Sequence, residues 1–175
     1  PRFQYVLGQL YQLQGDKKAA RHAYEKVLKL QPDSEMDFNT RLQLAQLEAS
    51  PMAAVTLLTK MAKQDKNKDR LDQIYGTLGD ILLAQGDTTK ALEYYAKGIE
   101  GSTKNGMSKA TALITAGDIY YQQRDYVSAS PCYKEASQIL TVQHEDYKRI
   151  QRRSETLDAL VVEYSTVQLQ DSLQQ

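Results

Sequence analysis

Residues 7–32 read LGQLYQLQGDKKAARHAYEKVLKLQP, and the pattern of this stretch returns twice downstream. Leu78-Gly79, Leu82, Gly86-Asp87, Ala91 and Tyr95 repeat it 71 residues on, and Ala116-Gly117, Tyr120, Asp125, Ala129 and Tyr133 repeat it at an offset of 109. Self-similarity at 34 to 38 residues is the mark of stacked helical hairpins. Gly8, Gly79 and Gly117 sit in runs that otherwise favour helix, where glycine costs about 1 kcal/mol against alanine, so a packing reason is expected for each. Ala20, Ala91 and Ala129 follow twelve residues later. A glycine on the first helix facing an alanine on the second would let the two axes approach closely, with Tyr11, Tyr24, Tyr95, Tyr120 and Tyr133 filling the space on either side. Gly15-Asp16 and Gly86-Asp87 supply the turn, because glycine takes the left-handed conformation that ends a helix and aspartate caps the next one. Arg124-Asp125 keeps the cap and loses the glycine.

Outward from that unit, Pro32-Asp33 stops the second helix and opens the next hairpin. The second repeat is degenerate: Leu44-Ala45 replaces Leu7-Gly8, Ala53-Ala54 replaces Ala19-Ala20, and Ser50-Pro51 is expected to cap its second helix. A real but less closely packed hairpin follows from this. Residues 60–70, KMAKQDKNKDR, interleave basic and acidic groups and read as a solvated turn rather than a phosphate site. After the third repeat, Gly101-Ser102-Thr103-Lys104-Asn105-Gly106 forms a polar connection longer than the standard spacing. From His144 onward Ile150, Leu157, Leu160, Val161, Tyr164, Val167 and Leu169 make a partly helical apolar stripe, with Lys148, Arg149, Arg152 and Arg153 clustered at its start. A long amphipathic helix of this kind is suited to closing the apolar end of a repeat array, with the basic cluster solvated; the other reading makes it the first half of a further repeat or docks it onto a neighbouring domain.

The charge is balanced at 22 basic and 22 acidic residues, which gives no reason to expect nucleic acid or an acidic membrane surface as partner. No run approaches the roughly eighteen apolar residues of a membrane span. One cysteine, Cys132, forbids a disulfide within the chain and reads as a small core residue. His22 and His144 are isolated, no phosphate-binding glycine loop is present, and Asp118 and Asp125 are not placed as an acid and base pair. No catalytic residue, metal or cofactor is expected, and the reading is not an enzyme. The chain starts at Pro1 and ends inside a helical pattern, so it is expected to be a segment of a longer protein.

Leu7, Gly8, Tyr11, Ala20, Tyr24, Val27 and Pro32 occupy the signature positions of the tetratricopeptide repeat, with Gln4 in place of its first aromatic, and the chain resembles that family over about residues 1–141. The resemblance implies an all-α, right-handed solenoid of about four helical hairpins, at 1–34, 36–66, 71–104 and 107–141, plus a long C-terminal capping helix within 142–175. It also implies a protein-protein interaction scaffold that binds a peptide or protein partner in a concave groove lined by the first helix of each hairpin. Carried over by alignment, repeat one would present Arg2, Tyr5, Gln9 and Gln12, repeat two Asn39, Leu42, Gln46 and Ala49, repeat three Gln73, Gly76, Asp80 and Leu83, and repeat four Thr111, Ile114, Asp118 and Gln122. Well-known members of the family clamp a peptide's terminal carboxylate with two lysines, an arginine and two asparagines. Here Tyr5, Gln9, Gln46, Gln73 and Gly76 stand at those positions, so that clamp is absent and a chaperone co-factor role is not expected. The groove reads instead as amide-rich, suited to bonding a peptide backbone, with Asp80 and Asp118 either favouring a basic residue or simply solvated.

The run RRSETLDALVVEYSTVQLQDSLQQ at 152–175, after a degenerate second repeat, resembles the repeat segment of bacterial gliding-motility and type IX secretion lipoproteins of the SprE/PorW type. That resemblance implies a parent at the periplasmic face of the outer membrane, joined to a protein secretion or motility assembly. The alternatives are a soluble cytoplasmic adaptor or regulator, or a self-assembling structural spacer forming a homo-oligomer.

Overall fold

The computed structural model describes the backbone of residues 1–173 and the side chains of residues 1–164. Among these the chain is all helix and turn: α1 (Arg2–Leu13), α2 (Lys17–Lys29), α3 (Ser34–Gln46), α4 (Pro51–Ala62), a 3₁₀ turn (Asp65–Arg70), α5 (Leu71–Ala84), α6 (Thr88–Glu100), α7 (Met107–Gln122), α8 (Tyr126–Ile139) and α9 (Tyr147–Leu173). Pairs α1/α2, α5/α6 and α7/α8 are closely packed hairpins, and successive hairpins stack through α2/α3, α4/α5 and α6/α7. The result is an all-α solenoid.

The turns follow from their residues. Gly15 and Gly86 take φ of +79° and +81°, and Asp16, Asp87 and Asp125 each cap the following helix, accepting from the backbone N–H of Ala19, Lys90 and Ser128. Such caps contribute about 1 kcal/mol each. Arg124 adopts φ +61° where the turns of α1/α2 and α5/α6 have glycine. Asp33 caps α3 through the N–H of Met36. Ser50 does not use its side chain as a cap; Pro51, at the first position of α4, sets the start of that helix without it.

The signature glycines also seat a tyrosine ring. A Cβ at Gly8 would lie 2.6 Å from the Tyr24 ring, one at Gly117 would lie 3.0 Å from the Tyr133 ring, and one at Gly79 would collide with the ring of Tyr95. Each glycine is thus the seat of a tyrosine four residues beyond the signature alanine, because the long side chain reaches back across the hairpin. Tyr24, Tyr95 and Tyr133 are the largest fully buried side chains among the described residues, and burying a side chain of this size contributes about 1.5–3 kcal/mol. The second hairpin lacks such a seat, and α3 and α4 touch sparsely, α4 packing more extensively on α5. Residues 65–70 are more ordered than a solvated turn: Asn67 is buried and its amide donates to the Met61 carbonyl.

Helix α9 packs on α8 with its first turns, where Ile150 and Leu157 are buried with Leu113, Ile114, Tyr133 and Leu140. The stripe does not stay buried: Leu160 is 44% and Tyr164 56% exposed, and Val167 and Leu169 lie outside the described side chains. α9 buries Ile150, Ser154 and Leu157, and α7 buries Ala112, Ala116 and Ile119, 38 residues earlier. α9 therefore lies on α8 in the register in which α7 lies on α6. No helix among the described residues is long and apolar enough to cross a membrane.

Candidate functional site

The first helices of the hairpins contact one another, α3 with α5 and α5 with α7, and their shared face forms an open cavity of about 330 Å³. Gln43 and Gln46 of α3, Asp72, Gln73, Gly76, Thr77 and Asp80 of α5, and Met107, Ser108 and Thr111 of α7 line it, with Tyr95 of α6 at its floor. A neighbouring cavity of about 560 Å³ lies toward the starts of these helices and is lined by Phe38, Asn39, Arg70, Asp72, Gln73 and Met107 among others; Arg70 stacks its guanidinium 4.7 Å over the Phe38 ring. The absence of a side chain at Gly76, where an added Cβ would meet nothing within 4 Å, helps keep the groove open.

Of the residues that sequence placed in a groove, Gln46, Gln73 and Asp80 come together in the first cavity and Asn39 and Gln73 in the second. Tyr5 and Asn39 line a smaller one near the N-terminus, where the Tyr5 ring packs 5.6 Å from that of Tyr24. Gln9 is exposed and Gln12 is half-buried, accepting from the Tyr24 hydroxyl at 2.9 Å. Gln122 is exposed at the end of α7. Leu42 and Ile114 belong to the hydrophobic core, Leu42 at the edge of the first cavity.

The two aspartates have unlike surroundings. Tyr133 donates its hydroxyl to Asp118 Oδ1 at 2.5 Å, and α9 brings two arginines to the same carboxylate. Arg149 Nη1 lies 2.8 and 3.0 Å from its two oxygens. Arg153 Nη1 also bonds Asp118 and lies 2.7 Å from the Tyr133 hydroxyl, its guanidinium 4.5 Å over the Tyr121 ring. Asp118 was expected either to favour a basic residue of a ligand or to be solvated; its basic partners come instead from the chain itself, the arginines Arg149 and Arg153 that were read as solvated. Asp80 accepts the Tyr95 hydroxyl at 2.7 Å, and among the described residues no lysine or arginine forms an ion pair with it. By area Asp80 is exposed, but the concave walls thin the water around its carboxyl. Desolvation raises its pKa above the ordinary carboxylate value, against the lowering effect of the Tyr95 hydrogen bond. Burial, together with the neighbouring carboxylate, also pushes the Tyr95 and Tyr133 phenols well above their usual range, which keeps both hydroxyls as donors.

Sequence reasoning took Tyr95 and Tyr133 as core residues only. The signal that they also donate was present: each follows an aspartate by fifteen residues, whereas Tyr24, with Gln9 at that spacing, turns to Gln12 instead. Cys132 is half-buried with its pKa raised to about 11 by desolvation, a poor nucleophile. No group of three or more metal-binding side chains occurs among the described residues.

Residues 70–141 and residues 1–34 match two family models, each described as tetratricopeptide repeat. Neither match extends over the degenerate second hairpin. No curated protein matches the chain in sequence. Among solved structures, that of BtubC (BKLC) from P. vanneervenii is similar in fold, with a TM-score of 0.67 over 95% of this chain and 74% of that one, at 17% identity.

Proposed function

This chain belongs to the tetratricopeptide repeat family, and we propose that it is a non-catalytic scaffold holding a segment of a partner protein in the groove of α3, α5 and α7. Repeats of this family build protein-protein interaction scaffolds, and the observation that supports this groove is its lining. Gln43, Gln46 and Gln73 gather amide donors and acceptors along one face with Thr77, Ser108 and Thr111, beside the carboxylates of Asp72 and Asp80. Amides spaced along a helical face can bond a peptide backbone, while the two carboxylates select against acidic side chains. The setting we propose is a bacterial envelope secretion or motility assembly; only the resemblance of residues 152–175 supports it, and side chains from 165 onward lie outside those described.

The test is site-specific photo-crosslinking of the protein in its native cells, with the reactive group at Gln73 in the groove or at Glu93, exposed on α6. A partner captured from Gln73 and not from Glu93 is expected. Capture from Glu93 alone would move binding to the convex face. Fractionation of the same cells, with the protein in the envelope or in the cytosol, decides the setting.

A further inference from the structure

Repeat four shows what an aspartate at this position of the first helix, with a tyrosine fifteen residues on, can hold. Tyr133 orients Asp118, and the carboxylate and phenol oxygen together receive Nη1 of Arg153, while Arg149 takes both carboxylate oxygens. Those arginines come from the next first-type helix, α9. In repeat three the pair recurs as Asp80 and Tyr95, 38 residues earlier, with the hydroxyl at 2.7 Å. The next first-type helix is now α7, which has Thr111 and Thr115 at the places of Arg149 and Arg153. These side chains are too short and carry no charge, and Thr111 lines the cavity in front of Asp80. The adjoining cavity beyond Asp80 has Lys17, Lys18 and Arg21 on its wall; Arg21 is committed to Glu48 and the Leu47 carbonyl.

Resting on the groove reading above, we propose that Asp80 and Tyr95 form a receptor for one arginine side chain of the bound partner segment, reproducing between two proteins the contact that Asp118 and Tyr133 make within this one. Arginine fits better than lysine because one guanidinium nitrogen can bridge the carboxylate and the phenol oxygen, as Arg153 Nη1 does, while another N–H of the same rigid fork reaches a second acceptor, as Arg149 does with Nη1 on Asp118 and Nε on Asp146. The stacking part of the repeat-four arrangement does not recur, since Leu83 stands where Tyr121 lies under Arg153. Charge and hydrogen bonding therefore carry the recognition. A half-desolvated carboxylate without a counter-charge gains more from a guanidinium than a hydrated one does.

The probe is N-acetyl-L-arginine N-methylamide, titrated into the ¹⁵N-labelled chain and followed by amide chemical shifts. Saturable shifts clustered at Thr77, Asp80 and Thr111 are expected. Asp80→Asn, which keeps an acceptor for Tyr95, should weaken them about tenfold, the uncharged citrulline analogue should give none, and the lysine analogue should bind about fivefold less tightly or worse. Thr111→Arg, which installs in α7 the residue found in α9, should abolish the probe's shifts and raise the melting temperature. An affinity unchanged in Asp80→Asn, shifts that survive Thr111→Arg, or equal affinity for the lysine analogue overturns the proposal. The two readings fail separately: crosslinking from Gln73 that persists unchanged in Asp80→Asn removes the arginine receptor and keeps the groove, and loss of capture from Gln73 in the unsubstituted protein removes the groove itself.

Discussion

Arg149 reaches back 31 residues to Asp118, its Nη1 2.8 Å from one carboxylate oxygen and 3.0 Å from the other. This contact, with that of Arg153, ties the terminal helix to α7 across the body of α8. The expected outcome of Asp118→Asn, which keeps an acceptor for Tyr133 and removes the charge, is a loss of about 1–3 kcal/mol and faster amide exchange over residues 147–157. Urea denaturation and hydrogen exchange check it. Unchanged exchange in α9 would show that Ile150 and Leu157 hold the helix alone.

Two glycines in α5, three residues apart, should respond in opposite directions to the same change. At Gly79 an added methyl meets the buried Tyr95 ring, and overpacking of this kind costs about 1–3 kcal/mol. At Gly76 it meets nothing within 4 Å, and the higher helix propensity of alanine should stabilise by about 0.5–1 kcal/mol. Melting temperatures of Gly79→Ala and Gly76→Ala provide the comparison.

The turn before α8 holds Arg124 at φ +61°, a conformation that a side chain with a Cβ adopts at a cost of about 1–2 kcal/mol. Arg124→Gly installs the residue found at Gly15 and Gly86 and should stabilise the fold by about 1 kcal/mol. Equilibrium denaturation that shows a loss instead would mean that the Arg124 side chain makes compensating contacts.

Asp80 and Asp158 should move stability in opposite senses with pH. Asp158, at 2.7 Å from the Ser130 hydroxyl and 2.9 Å from the Lys134 ammonium, has its pKa lowered from 3.8. Its contribution is present above that value and is lost as pH falls through the lowered pKa of the folded state. Asp80 has a folded pKa above 3.8, so the folded form holds its proton more tightly and stability from this group declines as pH rises from 3.8 through the raised value. Asp80→Asn should thus gain on the unsubstituted protein above that window and lose the advantage below it, whereas Asp158→Asn should be less stable at neutral pH and converge in acid. Denaturant midpoints measured from pH 3 to 7 would show either trend; parallel curves for Asp80→Asn would mean that its carboxyl is fully hydrated.

The legible part of the groove was the part that repeats. Gln46, Gln73 and Asp80 could be placed on one concave face because the hairpin period fixes which side of each first helix looks inward, and the structure gathers them around one cavity. The misread part was the set of side-chain partners. That the ring of the tyrosine four residues beyond the signature alanine sits on each glycine could not be read from the spacing, since the reach of a ring depends on its rotamer and on helix rotation. The basic start of α9 looked solvated for a similar reason. Lys148, Arg149, Arg152 and Arg153 are four neighbours in sequence, and only the rotation of α9 on α8, set by Ile150 and Leu157, decides that Arg149 and Arg153 face Asp118.

The sequence by itself determined the helical hairpins, their turns and the array, because helix propensity, aspartate caps, left-handed glycines and small-to-large spacing are local quantities repeated at a fixed period. Only the tertiary structure decided which of two equivalent aspartates is neutralised within the chain. Asp118 and Asp80 have the same local pattern, each with its tyrosine fifteen residues on. They differ in the helix that stacks next, arginines from α9 in one case and threonines from α7 in the other, and that pairing exists only once the repeats are packed.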